Sequence, residues 1–394
     1  MNILFIPSFS GGKSHQIPLF VLCQRYFRRH SGCNNAFLLP AAEHENFRKA
    51  GINVLPIDYF EDVIDDHCVR AGLISKLMDK EAEAMKIFAP DLVIDDNNLI
   101  TYYNSLEYGI PRISIHRTGF FRSIDLSLRN PNHVHSLEKY ATPEGSKSLI
   151  FSDRSGYGPD KATGGIRSIS DLVLKSKTKV IPGIPAIEKL PADIPDPGSY
   201  FYSGPLNLED NPSPLLVERL ESYFEHNKDR KTVFVTTGLI DKQDISPIIQ
   251  YLLEKEYAVI TTIAPDVDRS SQDSFFYNPF LPLNFVCSKI HLVIHHCGSG
   301  LYHYPILNLK PAITIGTQCF DREDVAIRLE ELGLSKHVPS PFDDVNYMNV
   351  FKKNMDIFER DELCNYNNLG KTKQDILETM LGFDVEKVIG YTLN

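Results

Sequence analysis

The chain of 394 residues is long enough for two domains of ordinary size, and its 42% hydrophobic and 23% charged residues are typical of globular proteins. A net charge of −10, without a run of five lysines or arginines, argues against a nucleic-acid-binding protein and against binding to anionic membranes. No apolar stretch reaches the roughly 18 residues of a membrane helix, the start lacks a signal-peptide pattern, and the seven scattered cysteines form no CxxC pair. We therefore expect a cytoplasmic protein with reduced thiols and no insertion into a membrane.

Short apolar strands alternate with helical segments in the first half of the chain. The predicted elements are strands at Asn2–Ile6, Ala36–Leu39, Asp91–Ile94 and Arg112–Ile115 and a helix at Ile17–Phe27. This alternation is typical of an α/β domain whose parallel sheet is covered on both faces. The segment Thr142–Ile169, rich in Gly, Ser and Asp, is predicted to be a loop, either a mobile one near a ligand or an ordinary surface loop.

A second series of strands follows a proline-rich linker between Pro182 and Pro197. Its predicted elements are strands at Thr232–Thr236, Tyr257–Thr262, Leu292–Ile294 and Ala312–Ile315 and a final helix at Asp375–Tyr391. These patterns divide the chain into a first domain of residues 1–205, a second of residues 206–374, and a C-terminal helix at 375–394 that we expect to pack back on the first domain.

The turn after the first strand offers a candidate base. Gly12-Lys13-Ser14 resembles part of a phosphate-binding P-loop, but Pro7 stands where that motif needs a glycine, so this interpretation is rejected. His15 lies where the strand turns into the helix, at the ligand-binding face of an open α/β sheet. A neutral imidazole there can accept a proton, although a helix-capping or surface histidine would look the same in the sequence.

Two carboxylates follow the predicted strand Asp91–Ile94. Either Asp95 or Asp96 could orient the His15 imidazole and stabilise its protonated form, as the acid does in a catalytic dyad. The alternative is that both side chains cap the turn that follows the strand.

A histidine- and glycine-containing run, His295–Gly300, follows the strand Leu292–Ile294. Its glycines would let the backbone approach a ligand closely, and free N–H groups at the start of the next helix, with His296 as a further donor, favour a diphosphate. A metal site that uses His295, His296, Cys297 and His303 is disfavoured, because adjacent side chains at a strand end point in opposite directions. An ordinary structural turn is the third interpretation.

These segments, in this order, resemble the inverting UDP- and dTDP-sugar glycosyltransferases of the GT-B fold. Five segments match motifs of this superfamily. In the second half, Phe280–Asn284 matches FVPxN, His291–Gly300 matches HHGGxG, and Val233–Gly238 matches the V-T-x-G strand and turn. In the first half, His15–Pro18 matches GHxxP and Pro90–Asp96 matches PDLVxxD. The resemblance implies two Rossmann-like domains, each with a doubly wound parallel sheet, facing across a cleft.

The resemblance also implies a role for each matching residue. His15 would be the general base and Asp96 would orient it, with Asp95 as the other choice. The residues implied to hold the donor diphosphate are His296, Gly298, Ser299, Gly300 and Gly238. Those implied to line the base and ribose pocket are Phe280, Leu281, Leu283 and Tyr304, and those implied to contact the donor sugar are Asp321 and Arg322.

The sequence departs from the superfamily at two of these positions, and the second glycine of the histidine-glycine-glycine run is reached through Cys297. Tyr304 stands where many UDP-sugar members place a glutamate on the ribose, and the Asp-Gln pair of the superfamily is Asp321-Arg322 here. In lacking this glutamate, the chain resembles the natural-product branch of the superfamily, whose members transfer dTDP-deoxysugars to antibiotic aglycones. Both UDP and dTDP therefore stay open as the donor nucleotide.

The reaction implied by the resemblance moves a sugar to a hydroxyl, or a similar nucleophile, of a small natural-product acceptor with inversion. It needs no metal and no bound cofactor, since the nucleotide sugar is a co-substrate. The expected partners are the donor and the acceptor, and a homodimer is the assembly to test. Segments 117–135 and 142–169 would shape the acceptor pocket. Two alternatives remain: a nucleotide-sugar epimerase of the same architecture, and a catalytically idle nucleotide-sugar-binding protein that assists another enzyme.

Overall fold

The structure is a computed structural model that describes residues 1–7, 12–28, 32–39, 44–57, 71–96, 98–118, 175–190, 192, 194–237, 244–264, 273–317, 320–341 and 344–394. Some side chains within these ranges, those of His15 and Asp321 among them, lie outside the described part. The described residues divide into two compact units. One runs to Asn207 and includes Thr379–Asn394, and the other spans Leu208–Glu378.

The first unit contains a parallel sheet. Its strands are β1 (Asn2–Ile6), β2 (Asn34–Leu39), β3 (Asn53–Pro56), β4 (Leu92–Asp95), β5 (Arg112–Ile115), β6 (Thr178–Ile181) and β7 (Tyr200–Tyr202). Within the described residues the strand order is β3-β2-β1-β4-β5-β6-β7, and all the neighbours are parallel. The helices are α1 (Gly12–Leu22) with a π-helical continuation at Cys23–Phe27, α2 (His44–Lys49), α3 (Ala71–Phe88), α4 (Leu99–Glu107) and a 3-10 turn at Pro197–Ser199.

Both faces of this sheet are buried, which is why its central strands are mostly apolar, and the polar members Asp95, Arg112 and Ser114 bond to one another. Ile3 and Phe5 pack into one cluster, whereas Leu4 and Ile6 pack into another, because successive side chains of a strand point to opposite faces. Phe5 stacks on Phe37 of the neighbouring strand with the ring centroids 4.8 Å apart.

The second unit repeats this layout. Its strands are β8 (Thr232–Thr236), β9 (Ala258–Thr261), β10 (Phe275–Tyr277), β11 (Leu292–His295), β12 (Ala312–Ile315) and β13 (Ser335–Val338), in the parallel order β10-β9-β8-β11-β12-β13. Its helices are α5 (Pro214–His226), α6 (Ser246–Glu254), α7 (Leu283–Lys289), α8 (His303–Leu307), α9 (Phe320–Glu331), α10 (Tyr347–Glu359) and α11 (Tyr366–Gly382). Val233 and Val235 pack on one face of the sheet and Phe234 on the other. The predicted α/β class with two doubly covered parallel sheets is confirmed.

The C-terminal region differs from the single helix predicted over Asp375–Tyr391. The structure has two helices there, α11 and α12 (Val385–Leu393), because the Asp384 carboxylate accepts the N–H groups of Glu386 and Lys387 at 3.0 and 3.2 Å and starts a new helix. Three side chains of α12 are buried in the first unit's cluster with Ile3 and Phe5: Val385, Val388 and Ile389. None of the helices in the described ranges is long and apolar enough to cross a bilayer.

Candidate functional site

The carboxyl ends of β1 and β4 meet at one edge of the first sheet, because these parallel strands are neighbours with Ile6 opposite Asp95. Helix α1 begins at Gly12, shortly after β1 ends, and carries His15 in its first turn. Asp95 ends β4 and Asp96 follows it directly. The His15 imidazole lies outside the described residues, so its distance to either carboxylate stays a prediction.

Asp96 forms a buried ion pair that the sequence did not predict. Arg117 donates from Nη1 to Oδ1 at 2.7 Å and from Nη2 to Oδ2 at 3.1 Å. Both side chains are almost entirely removed from solvent, with 0% of Asp96 and 5% of Arg117 exposed. A bidentate pair in a site of low dielectric holds the carboxylate as an anion in one orientation. This is the state that the orienting partner of a base requires.

Asp95 has a different partner, although it is the adjacent residue. Arg112 donates to its two oxygens from Nε and Nη2 at 2.8 and 3.0 Å, and the N–H of Asn98 donates to Oδ2 at 2.6 Å. Burial raises the pKa of the Asp95 carboxyl, and the Arg112 guanidinium opposes this effect. Arg112 also donates to Ser176 and Ser114 at 2.8 and 3.1 Å, so Asp95 belongs to a polar network inside the unit.

A further carboxyl, Glu81 of α3, is buried close to this network. Its oxygens accept hydrogen bonds at 3.0 Å from Thr101 Oγ1 and from Asn104 Nδ2, both of α4. Burial raises the pKa of Glu81 to about 8, so the protonated form is favoured at neutral pH.

His116, directly after β5, was also missed by the sequence reasoning. Its side chain is fully buried, and neither ring nitrogen has a hydrogen-bond partner within the described residues. Burial and the nearby Arg112 guanidinium lower the pKa of His116 well below its usual value, so the imidazole is neutral. A single buried histidine at a strand end carries no signal in the sequence that separates it from a core residue.

In the second unit, the run His295–Gly300 forms the turn between β11 and α8. His295 Nδ1 accepts the N–H of Cys297 at 3.1 Å. Cys297 is buried and has a φ of 55°, in the left-handed region that glycine adopts more readily. The resemblance had placed a glycine of the HHGGxG signature at this position, and the backbone keeps a glycine-like conformation although the residue is cysteine.

The charge of the histidines and the pairing of the amides decide which ligand this turn could bind. Burial lowers the pKa values of His295 and His296 to about 3, so both imidazoles are neutral at pH 7. Among the described residues, no hydrogen bond is donated by the N–H of Gly298 or of Gly300. A Cβ added at Gly300 would meet no atom within 4 Å, so the space beside it is open. Exposed N–H groups beside a neutral imidazole suit an anionic ligand.

The residues implied to line the base and ribose pocket differ in their exposure. Phe280 is 62% exposed, whereas Leu281 and Leu283 are partly buried against the cluster of the second unit that contains Phe234. Tyr304 is buried in the same cluster, and its hydroxyl donates to the carbonyl of Leu208 at 3.3 Å. Contact of these residues with a nucleoside stays a prediction.

The remaining predicted residues are only partly described. Asp321 and Arg322 lie in the first turn of α9, at the carboxyl end of β12, and the Asp321 side chain is outside the described part, as is all of Gly238. The described side chains contain no group of three or more His, Cys, Asp or Glu residues placed to bind a metal ion. The predicted acceptor segments, apart from Arg117 and Thr118, also lie outside the described residues.

Comparison with solved structures decides the fold. The glycotransferase of kitacinnamycin is similar over 100% of this chain and 98% of its own, with a TM-score of 0.69 and 14% identity. The spinosyn forosaminyltransferase is similar over 100% of both chains, with a TM-score of 0.68 and 15% identity. The chain has the GT-B fold.

This GT-B chain is also similar to a Medicago truncatula protein solved in complex with UDP-glucose, over 99% of this chain and 98% of the other, with a TM-score of 0.70 and 12% identity. No protein-family model and no curated protein sequence matches the chain. At these identities the likeness establishes the GT-B architecture, and the chemistry has to be argued from the residues of this chain.

Proposed function

We propose that this GT-B protein transfers a sugar from a UDP- or dTDP-sugar to a hydroxyl of a small natural-product acceptor, with inversion at the anomeric carbon. The observation that carries the proposal is the turn after β11, where the neutral His296 precedes two glycine N–H groups that donate to no described residue. Preorganised donors of this kind stabilise the charge that develops on a departing diphosphate. The two natural products named for the similar structures, kitacinnamycin and spinosyn, favour an acceptor of this class.

The reaction is a single displacement. The acceptor oxygen attacks the anomeric carbon, the bond from that carbon to the diphosphate oxygen breaks, and the acceptor proton passes to His15. Asp96, held by Arg117, stabilises the imidazolium that results. The donors of His296, Gly298 and Gly300 receive the negative charge on the leaving group, which is the part that a metal ion plays in other transferases.

The first experiment measures nucleotide binding and turnover together. Thermal unfolding is followed with UDP and with dTDP, since a nucleotide that binds only the native state raises Tm. Release of nucleoside diphosphate from UDP-glucose and dTDP-glucose is then followed with a panel of phenolic and macrolide acceptors. We expect His15→Ala to bind nucleotide as the wild type does and to lose transfer, with the adjacent Gln16→Ala as the matched control. His296→Ala should weaken nucleotide binding, whereas His291→Ala, at the other end of β11, should not.

Each other outcome identifies a different function. Absence of nucleotide binding by the wild type would refute the proposal. Binding without turnover by both the wild type and His15→Ala would favour the idle binding protein, and conversion of the nucleotide sugar without release of diphosphate would favour the epimerase. Cytoplasmic location and a homodimeric assembly stay predictions.

A further inference from the structure

A buried carboxylate joins the start of helix α9 to the backbone that follows β12 through a hydrogen bond. Glu323 lies in the first turn of α9, directly after Asp321 and Arg322, and is 1% exposed. Its Oε1 accepts the N–H of Thr317, two residues beyond the end of β12. This hydrogen bond closes the connection between β12 and α9, because it joins the two ends of the loop that separates them.

A histidine of the neighbouring strand lies close to the other oxygen of the same carboxylate. His337 of β13 has Nε2 at 3.3 Å from Glu323 Oε2, and its Nδ1 is 2.9 Å from Thr314 Oγ1 of β12. The backbone carbonyl of His337 accepts from Asn354 at 3.3 Å. The carboxylate of Glu323 is therefore bonded to the backbone after β12 and lies beside a histidine that β12 and Asn354 hold.

The loop between β12 and α9 is also pressed against the end of β13. Gly316 donates its N–H to the carbonyl of Val338 at 2.7 Å, and a Cβ at Gly316 would overlap the backbone of Ser340 and Pro339. The backbone at Gly316 is therefore held against the end of β13. Glu323 joins the residue that follows, Thr317, to the first turn of α9.

Glu323 is close to the glycine-containing turn as well. Burial is the larger cause of the raised pKa of the Cys297 thiol, and the negative charge of Glu323 is the second. Cys297 lies between His296 and Gly298. One carboxylate thus lies near the turn proposed to hold the diphosphate and fixes the helix turn that carries Asp321 and Arg322.

We infer that Glu323 is a positioning residue for the sugar end of the donor: it sets the placement of the backbone at Asp321 and Arg322 relative to the diphosphate turn. The inference rests on the proposed function, since it assigns the sugar of a nucleotide sugar to the start of α9. The side chain of Glu323 is buried, so its proposed role is a positioning one. It acts through the backbone that it holds.

The test distinguishes binding of the sugar from binding of the diphosphate. The same protein is titrated calorimetrically with UDP and UDP-glucose, and with dTDP and dTDP-glucose. We expect Glu323→Ala to weaken binding of the nucleotide sugar about tenfold more than binding of the nucleoside diphosphate, because only the sugar contacts depend on the start of α9. Glu323→Gln should recover most of the loss, since an amide oxygen can still accept the Thr317 N–H. Glu331→Gln, at the exposed end of the same helix, is the matched control and should change neither Kd.

Thr314→Val removes the hydroxyl that fixes His337 and gives a second route if Glu323→Ala does not fold. This variant should weaken binding of the nucleotide sugar a few fold more than binding of the nucleoside diphosphate. Equal losses for the two ligands in Glu323→Ala and Thr314→Val, or no loss in either, would overturn the inference while leaving the proposed function intact. A wild type that binds none of the four ligands would overturn both.

Discussion

Replacing Asp96 by asparagine tests whether the carboxylate next to β4 is a structural partner of Arg117 alone or also serves the reaction. The Asp96–Arg117 pair is buried and bidentate, so removal of one charge leaves the other in the interior without compensation. Breaking such a pair costs about 3–5 kcal/mol. The amide introduced by Asp96→Asn would keep one oxygen that accepts from Arg117, so we expect a loss near the lower end of that range.

The loss converts into a shift of Tm that calorimetry resolves. For a unit of this size each kcal/mol lowers Tm by about 2–4 °C, so Asp96→Asn should unfold on the order of 10 °C below the wild type. Arg117→Met should lose a similar amount. The double variant should lose less than the sum, by on the order of 2 kcal/mol, because neither charge is then left unpaired.

The adjacent pair, Asp95 with Arg112, is the matched control because it has the same chemistry on the same strand end. Asp95→Asn should cost a similar amount of stability but leave the rate of transfer per folded molecule within about tenfold of the wild type. Asp96→Asn should lower that rate about a hundredfold or more, since the imidazolium loses its counter-charge. Two results would contradict this reasoning. One is a Tm of Asp96→Asn within about 2 °C of the wild type, which is a smaller shift than a loss of one kcal/mol would produce. The other is an equal loss of transfer in Asp96→Asn and Asp95→Asn.

Three further predictions concern stability. The pKa of Glu81 is raised to about 8 in the folded protein. The native state therefore keeps a proton that the unfolded chain releases above about pH 4.5. As a result, the free energy of unfolding of the wild type falls as the pH rises toward about 8. Glu81→Gln removes this dependence, and its advantage in Tm over the wild type should grow between about pH 5.5 and 8; a constant difference would contradict the pKa shift. Cys297→Gly should be more stable to urea than Cys297→Ala by about 1 kcal/mol, because alanine keeps the strain of a positive φ, and the reverse order would contradict that conformation. Gly316→Ala should cost roughly 2 kcal/mol through overlap with the backbone of Ser340, whereas Gly370→Ala, with open space around it, should cost nothing in the same urea titration.

The strands that the sequence predicted well are those buried on both faces. β1, β5, β8 and β12 have the predicted bounds. β1 from Ile3 onward, β8 and β12 are apolar or β-branched runs, whereas β5 was marked by the turn signal that ends at Pro111. β13 was missed because Ser335-Lys-His-Val338 shows no apolar run; its place at the sheet edge leaves Lys336 and His337 only partly buried. The break between α11 and α12 was missed because the apolar spacing continues across it, and only the capping side chain of Asp384 marks the new start.

The candidate site was predictable where a residue follows a strand directly. Asp96 and His296 were proposed in this way, because the carboxyl ends of parallel strands form the ligand-binding edge of such sheets, and their roles stay predictions. Their partners could not be found, since pairing depends on register. Arg117 reaches Asp96 because β4 and β5 are aligned with Asp95 opposite Ser114, and His337 reaches Glu323 from another strand. Residues joined across strands leave no local pattern in the sequence.

The membership of α12 in the first unit has a consequence for how the protein is made. Val385, Val388 and Ile389 complete a cluster whose other members begin at Ile3, so the interior of the N-terminal half stays open until the ribosome has translated almost the whole chain. Closing contacts over such separations is slow compared with local helix formation. The two main clusters of the second unit contain no described residue beyond Leu363, so all of their members are translated before α12.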